Sequence, residues 1–227
     1  MRLLVLNPNT SRAVSDRLRT VLSSGLTSGE QLRVDTAASG LPYIGDVAAM
    51  AVGAQAARAR LRDVMAEDHR FDVVVLGCFA DLDTTGLQAL AGRPAVSLLG
   101  ASVRMAARAG QRWSAVTAGA GWRTLLPDMF ATAIQAQAVR GSLVSVRTFE
   151  TQDPAIAGDP PRMQAEIGRL AQLCADEDHA DVIIVGGAGL GGLAPTAPVG
   201  RNGITVLDSV MCGLHIAREL MVRGSQP

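Results

Sequence analysis

The sequence predicts an α/β fold made of two pseudosymmetric parallel-sheet halves with the active site in the cleft between them. Three observations carry that expectation. Short runs of Val, Ile and Leu alternate with longer stretches of helical period along the 227 residues. Two of the runs, at 73–76 and 182–185, are continuously apolar, as strands buried on both faces of a parallel sheet must be. The segment Phe71-Asp72-Val73-Val74-Val75-Leu76-Gly77-Cys78 also recurs as Ala180-Asp181-Val182-Ile183-Ile184-Val185-Gly186-Gly187, which is 181 − 72 = 109 residues further on. Equivalent strand ends of facing halves would meet at a shared cleft, where open parallel sheets bind ligands.

The elements follow in order. Strand 3–6 is the apolar run that meets Asn7-Pro8-Asn9, and Ser11, a good N-cap, opens helix 11–23. Strand 32–34, helix 47–67, the buried strand 73–76 and helix 84–90 come next. Strand 95–98 falls 109 residues before strand 204–207. Between these two lie helix 102–109, strand 114–117 ending in Thr117-Ala118-Gly119, helix 122–137, strand 143–146, helix 161–176 and strand 182–185. Helix 209–223 follows Asp208 and is expected to cross back onto the first half. That divides the chain into 1–99 plus 208–227 and 100–207.

Composition narrows the function. Lys+Arg and Asp+Glu balance at 21 each and only 3% of residues are aromatic, which argues against a nucleic-acid partner. The 48% apolar content excludes disorder. The longest uncharged stretch, 182–200, holds six Gly and two Pro and reads as a strand and a loop, so no membrane association is expected. The apolar run at the N-terminus is too short for a signal peptide, and a cytoplasmic protein is expected. Cys78, Cys174 and Cys212 are odd in number without C-x-x-C spacing, and His69, His179 and His215 are scattered. Neither a disulfide framework nor a metal site is suggested.

Cys78 is the residue with chemical promise. It follows a buried strand and Gly77, where unpaired backbone N–H groups can favour a thiolate that acts as base or nucleophile. A buried apolar cysteine fits the same position, and Cys174 and Cys212 read as core. Asn7, Thr10 and Ser11 form a polar cluster at the end of the first strand that can cap a helix and also donate to an anionic or imide-like ligand. Thr117 occupies the corresponding strand end of the second half. Gly187-Ala188-Gly189-Leu190-Gly191-Gly192 matches G-x-G-x-x-G, with Asp208 21 residues after Gly187. Pro195 and Pro198 interrupt the helix that a dinucleotide fingerprint requires, so this run is expected to line the cleft opposite Cys78 with N–H groups.

The chain Asn7-Pro8-Asn9-Thr10-Ser11, the Gly-Cys-Phe-Ala-Asp run from Gly77 to Asp81, the Gly-Gly-Ala-Gly-Leu run from Gly186 to Leu190, and Val206-Leu207-Asp208 together resemble the hydantoin racemase branch of the aspartate/glutamate racemase superfamily. Arylmalonate decarboxylases and maleate isomerases are relatives of that branch. The resemblance implies a pseudosymmetric two-domain α/β fold, no cofactor, a small-molecule substrate with a carboxylate or imide group, and a homo-oligomer. It also implies two cysteines on opposite faces of the substrate that take and return a proton beside a carbonyl. Here the second of these is replaced by Gly187. The expected catalytic group is therefore Cys78 alone, with Asn7, Thr10, Ser11 and Thr117 as polar contacts. Phe79, Ala80, Ala188 and Gly189 are expected as main-chain donors around the substrate's carbonyl or carboxylate, and Gly187 leaves room on the second face. Three functions fit: an isomerase or racemase on a hydantoin or amino-acid-like substrate, a decarboxylase of a substituted malonate protonated by Cys78, and an inactive ligand-binding paralogue.

Overall fold

The computed structural model describes residues 1–67, 70–150, 159–200 and 203–224, so the expectation for His69 lies outside the described residues. Two four-stranded parallel sheets form the frame. The first contains β1 (Arg2–Asn7), β2 (Gln31–Thr36), β3 (Val73–Leu76) and β4 (Ala95–Ser97) in the order β2-β1-β3-β4. The second contains β5 (Arg112–Ala118), β6 (Ser142–Phe149), β7 (Val182–Val185) and β8 (Thr205–Asp208) in the order β6-β5-β7-β8. The helices are α1 (Arg12–Gly25), α2 (Val47–Ala66), α3 (Thr84–Ala91), α4 (Leu98–Ala109), α5 (Trp122–Gln137), α6 (Pro160–Asp176) and α7 (Ser209–Gly224).

The repeat seen in the sequence extends to single hydrogen bonds. Asp72 N donates to Arg2 O at 2.9 Å, and the equivalent Asp181 N donates to Arg112 O at 2.7 Å. The Asp72 carboxylate accepts from Arg2 N at 2.7 Å, and that of Asp181 accepts from Gln111 N and Arg112 N at 2.9 and 3.0 Å. At the other end of the same strands, Gly77 N donates to Leu6 O and Gly186 N to Val116 O, at 2.8 and 2.9 Å. Each half thus registers its central strand pair with one aspartate at the start and one glycine at the end.

Burial divides by strand parity. Val182 and Ile184 join Trp113, Ala115 and the first-sheet strands in one large core, whereas Ile183 and Val185 join Val116, Ile167 and Leu170 beneath α6. Helices α4 and α7 lie against each other, with α4 reaching β7 and β8 while α7 reaches β3 and β4. The bidentate Arg108–Glu219 pair, at 2.5 and 2.7 Å, ties these two helices. Arg218 anchors α7 to the first half through Glu30 and Gly25 O.

Helix α4 starts four residues before the sequence expectation. Ser97 Oγ accepts from Gly100 N at 3.0 Å and caps it, so the apolar Leu98 and Leu99 are helical and Leu98 is no longer strand. No described helix is long and apolar enough to cross a membrane.

Candidate active site

In each sheet the strand order reverses between the two central strands, so the crevices open beyond β1 and β3 in one half and beyond β5 and β7 in the other. Both crevices open onto one cavity, lined from the first half by Asn9, Val14, Tyr43, Ile44 and Gly77 to Phe79. The second half contributes Thr117, Ala118, Trp122 and Gly187 to Leu190. The cavity is small, about 60 Å³, in a measure by which one water needs roughly 10–15 Å³.

Cys78 stands on this wall directly after β3. Burial pushes its thiol up to about 12; the Ala80 N–H pulls the other way, the Asp81 carboxylate adds to the rise, and the Phe79 N–H again lowers it. The resting group is therefore a thiol, with two backbone N–H groups favouring its thiolate. They belong to Phe79 and Ala80, the residues expected as main-chain donors around the substrate's carbonyl or carboxylate. Ala80 is fully buried and off the cavity wall, while Phe79 lines it with a ring set edge-on to Phe130 at a centroid distance of 6.2 Å. The loop after Cys78 is locked by two aspartates. Asp81 Oδ1 accepts from Asp83 N, Thr84 N and the Thr84 hydroxyl, and Asp83, at φ 143°, caps α3 through Gly86 N and pairs with Arg58.

The cluster after β1 divides differently from the sequence expectation. Asn7 is 1% exposed, and its Nδ2 donates to Asn9 Oδ1, Ser11 O and Ser15 Oγ at 2.9–3.0 Å. Ser11 caps α1 by accepting from Val14 N, and Thr10 N donates to Leu41 O. Asn7, Thr10 and Ser11 therefore knit β1, α1 and the following loop together and do not line the cavity. Their neighbour Asn9 does. Its Oδ1 is taken by Asn7 Nδ2 and Ser11 N, which leaves its Nδ2 hydrogens without a partner among the described residues.

Across the cavity, Gly187 to Gly189 and Thr117 stand where the sequence puts them. Gly187 has φ 136° and ψ 126° and precedes a single 3-10 turn, Ala188–Leu190, where the sequence reading has an irregular loop. Gly187 N donates to Ser209 Oγ at 3.4 Å, whereas the N–H groups of Ala188 and Gly189 have no partner among the described residues. Asp208 is spent as a clamp. Its carboxylate accepts from Gly192 N at 2.6 Å and from Val210 and Met211 N at 2.8 and 3.2 Å, and burial raises its pKa. It thereby ties the Gly-rich loop to the start of α7, and no ribose-binding role is left for it.

Neither Tyr43 nor Trp122 is a site residue in the sequence reading, where Trp122 only opens helix 122–137. Tyr43 belongs to the loop between β2 and α2, yet its hydroxyl accepts from Trp122 Nε1 at 3.0 Å, 79 residues along the chain. No periodicity or motif marks that loop. Cys174 and Cys212 are buried within α6 and α7, away from the cavity. Among the described residues no group of three His, Cys, Asp or Glu is placed to hold a metal.

The chain is similar to known proteins along its whole length. The model of a family described as Asp/Glu/hydantoin racemase matches residues 3–217. A hydantoin racemase from Pseudomonas sp. (strain NS671) is 21% identical over 226 residues, covering 100% of this chain and 88% of that one. The crystal structure of allantoin racemase from Pseudomonas fluorescens superposes with a TM-score of 0.83 at 25% identity, over 99% of this chain and 92% of that one. A liganded double variant of arylmalonate decarboxylase, with one glycine changed to cysteine and one cysteine to serine, shares the fold. Its TM-score is 0.67 at 15% identity, over 100% and 95% of the two chains.

Proposed function

This chain belongs to the Asp/Glu/hydantoin racemase family, and from that premise we propose that it is a cofactor-independent isomerase. It would act at a carbon next to a carbonyl of a hydantoin or amino-acid-like substrate, with Cys78 as acid/base. The observation that carries this reading is the position of Cys78, on the wall of a small cavity between the halves. The Ala80 and Phe79 N–H groups favour the thiolate against burial, so Cys78 holds its proton at rest and, once that proton has passed to solvent, is a base toward a bound carbon acid.

The chemistry then follows from the wall opposite. When Cys78 removes the α-proton, the C–H electron pair moves onto the carbonyl oxygen. Asn9 Nδ2, the Thr117 hydroxyl and the N–H groups of Ala188 and Gly189, which have no partner among the described residues, are the donors available to hold that enolate. Thr117 is 4% exposed and Asn9 9%, so these donors act in a site with little water.

A second reading is favoured by one observation. Cys78 rests as a thiol and Gly187 supplies no acid, and decarboxylation needs a proton delivered from one face only. The C–C bond breaks, carbon dioxide leaves, and Cys78 protonates the resulting enolate. Incubation with 5-substituted hydantoins and with substituted malonates separates the two. Enzyme-dependent loss of the C5 proton in D₂O supports the isomerase, and release of carbon dioxide from the malonates without C5 exchange supports the decarboxylase. Ligand binding without either reaction would leave an inactive paralogue.

A further inference from the structure

Among the described residues only two ionisable side chains line the cavity, Cys78 from the end of β3 and Tyr43 from the loop before α2. We propose that Tyr43, held by Trp122, is the proton-transfer group for the substrate face that Cys78 does not reach. This rests on the reading of the cavity as a proton-transfer site and names the group serving its other side.

The geometry places the phenol on the second half. Its oxygen accepts from Trp122 Nε1 at 3.0 Å, and a Cβ added at Gly119 would lie 2.7 Å from it. Gly119 and Trp122 both follow β5, whereas Cys78 follows β3, so the Tyr43 side chain reaches across the cleft to the second half. The loop carrying it is pinned at both ends, by Thr10 N to Leu41 O at 3.0 Å and by Asp46 Oδ1 accepting from Ala49 N at 2.7 Å.

The hydrogen-bond polarity suits an acid. An indole N–H can only donate, so the Tyr43 oxygen is the acceptor in that pair and its own proton has no acceptor among the described residues. Burial holds the phenol protonated, the Trp122 bond favours the phenolate that forms when the proton leaves, and the charges of Cys78 and Glu150 add to the rise. The balance in one direction is as follows. In the reacting state the pair shares one proton, the Cys78 thiol having lost its own to solvent, and the Cys78 thiolate takes the α-proton, forming S–H and the enolate. The Tyr43 O–H bond then breaks and its proton forms the new C–H bond on the opposite face, leaving a thiol and a phenolate. The reverse turnover starts from that state.

Tyr43 is the single tyrosine of the chain, so the tyrosinate absorbance reports it alone. The test compares the wild type with Tyr43→Phe and Trp122→Phe, following in D₂O both C5 deuteration and loss of optical rotation on a 5-substituted hydantoin. Tyr43→Phe is expected to keep deuteration by Cys78 while the ratio of inversion to exchange falls by about 100-fold. Trp122→Phe should raise the tyrosinate titration midpoint and lower the same ratio. An unchanged ratio in Tyr43→Phe, or equal loss of both rates, would overturn the proposal. Absence of C5 exchange already in the wild type would instead overturn the reading of the cavity on which it rests.

Discussion

Gly187 occupies the position where the resemblance leads one to expect a second cysteine, and its backbone is held at φ 136° and ψ 126°. Side chains rarely adopt that region, and a residue forced into it costs about 1–3 kcal/mol. Space is not the obstacle, because an added Cβ would meet only Leu190 carbons at 3.4–3.7 Å, ordinary van der Waals distances. Replacing glycine also lowers the entropy of the unfolded chain, which returns roughly 0.4–1 kcal/mol. Gly187→Ala should therefore destabilise by about 1–2 kcal/mol. For a chain of this size that lowers Tm by roughly 2–8 °C. Gly168 is the control. It lies within α6 with nothing near its added Cβ, so Gly168→Ala should raise Tm. Thermal unfolding followed by circular dichroism reads both. A Gly187→Ala protein that melts at or above the wild type would refute the argument, since the loop would then accept a side chain without strain. Gly187→Cys should lose as much stability as the alanine variant. A thiol grafted there would not restore a two-cysteine site without reshaping the turn.

Two further outcomes follow from neighbouring features. Gly186→Ala would drive a methyl into the Phe79 ring, which is 5% exposed and already set against Phe130. A loss of about 1–3 kcal/mol in a denaturant titration is expected, together with weaker ligand binding. Stability should also fall at both ends of the pH scale. Burial raises the thiols of Cys78 and Cys212 to about 12 and that of Cys174 to about 11. The unfolded chain ionises first, so stability is full below the ordinary thiol range, near 9, and is lost as pH rises toward 12. Glu30, lowered to about 2 mainly by its hydrogen bond to Arg218, contributes stability above about 4.5 that disappears as pH falls toward 2. Unfolding free energies measured across pH should lose part of their acid slope in Glu30→Gln, since Glu67, Asp72, Glu166, Asp178 and Glu219 are also lowered, and part of their alkaline slope in Cys212→Ala.

Much of the frame is legible in the sequence because a strand buried on both faces leaves a continuous apolar run. β3 and β7 begin and end where the repeated segments put them, and α5 spans the residues its period marks. β6 extends beyond its apolar middle to Phe149, because an edge strand tolerates polar residues such as Ser145 and Arg147. The Ala188–Leu190 turn is hidden by its glycines. In the site, Cys78 and Gly187 are visible because the 109-residue step makes them equivalent. Asn9 and Asn7 exchange roles that composition cannot separate, since which amide faces the cavity depends on the bonds to Ser11 and Ser15. Tyr43 and Trp122 meet only through tertiary structure and leave no local signal.

The central claim is that Cys78 moves the proton of a carbon acid bound between the two halves. Its most direct test is the rate of C5 deuteration of a 5-substituted hydantoin in D₂O, measured by proton NMR for the wild type and for Cys78→Ala against a protein-free control. The account predicts protein-dependent deuteration that falls to the spontaneous rate in Cys78→Ala, while the variant still binds the hydantoin. Deuteration by Cys78→Ala at the wild-type rate would contradict it.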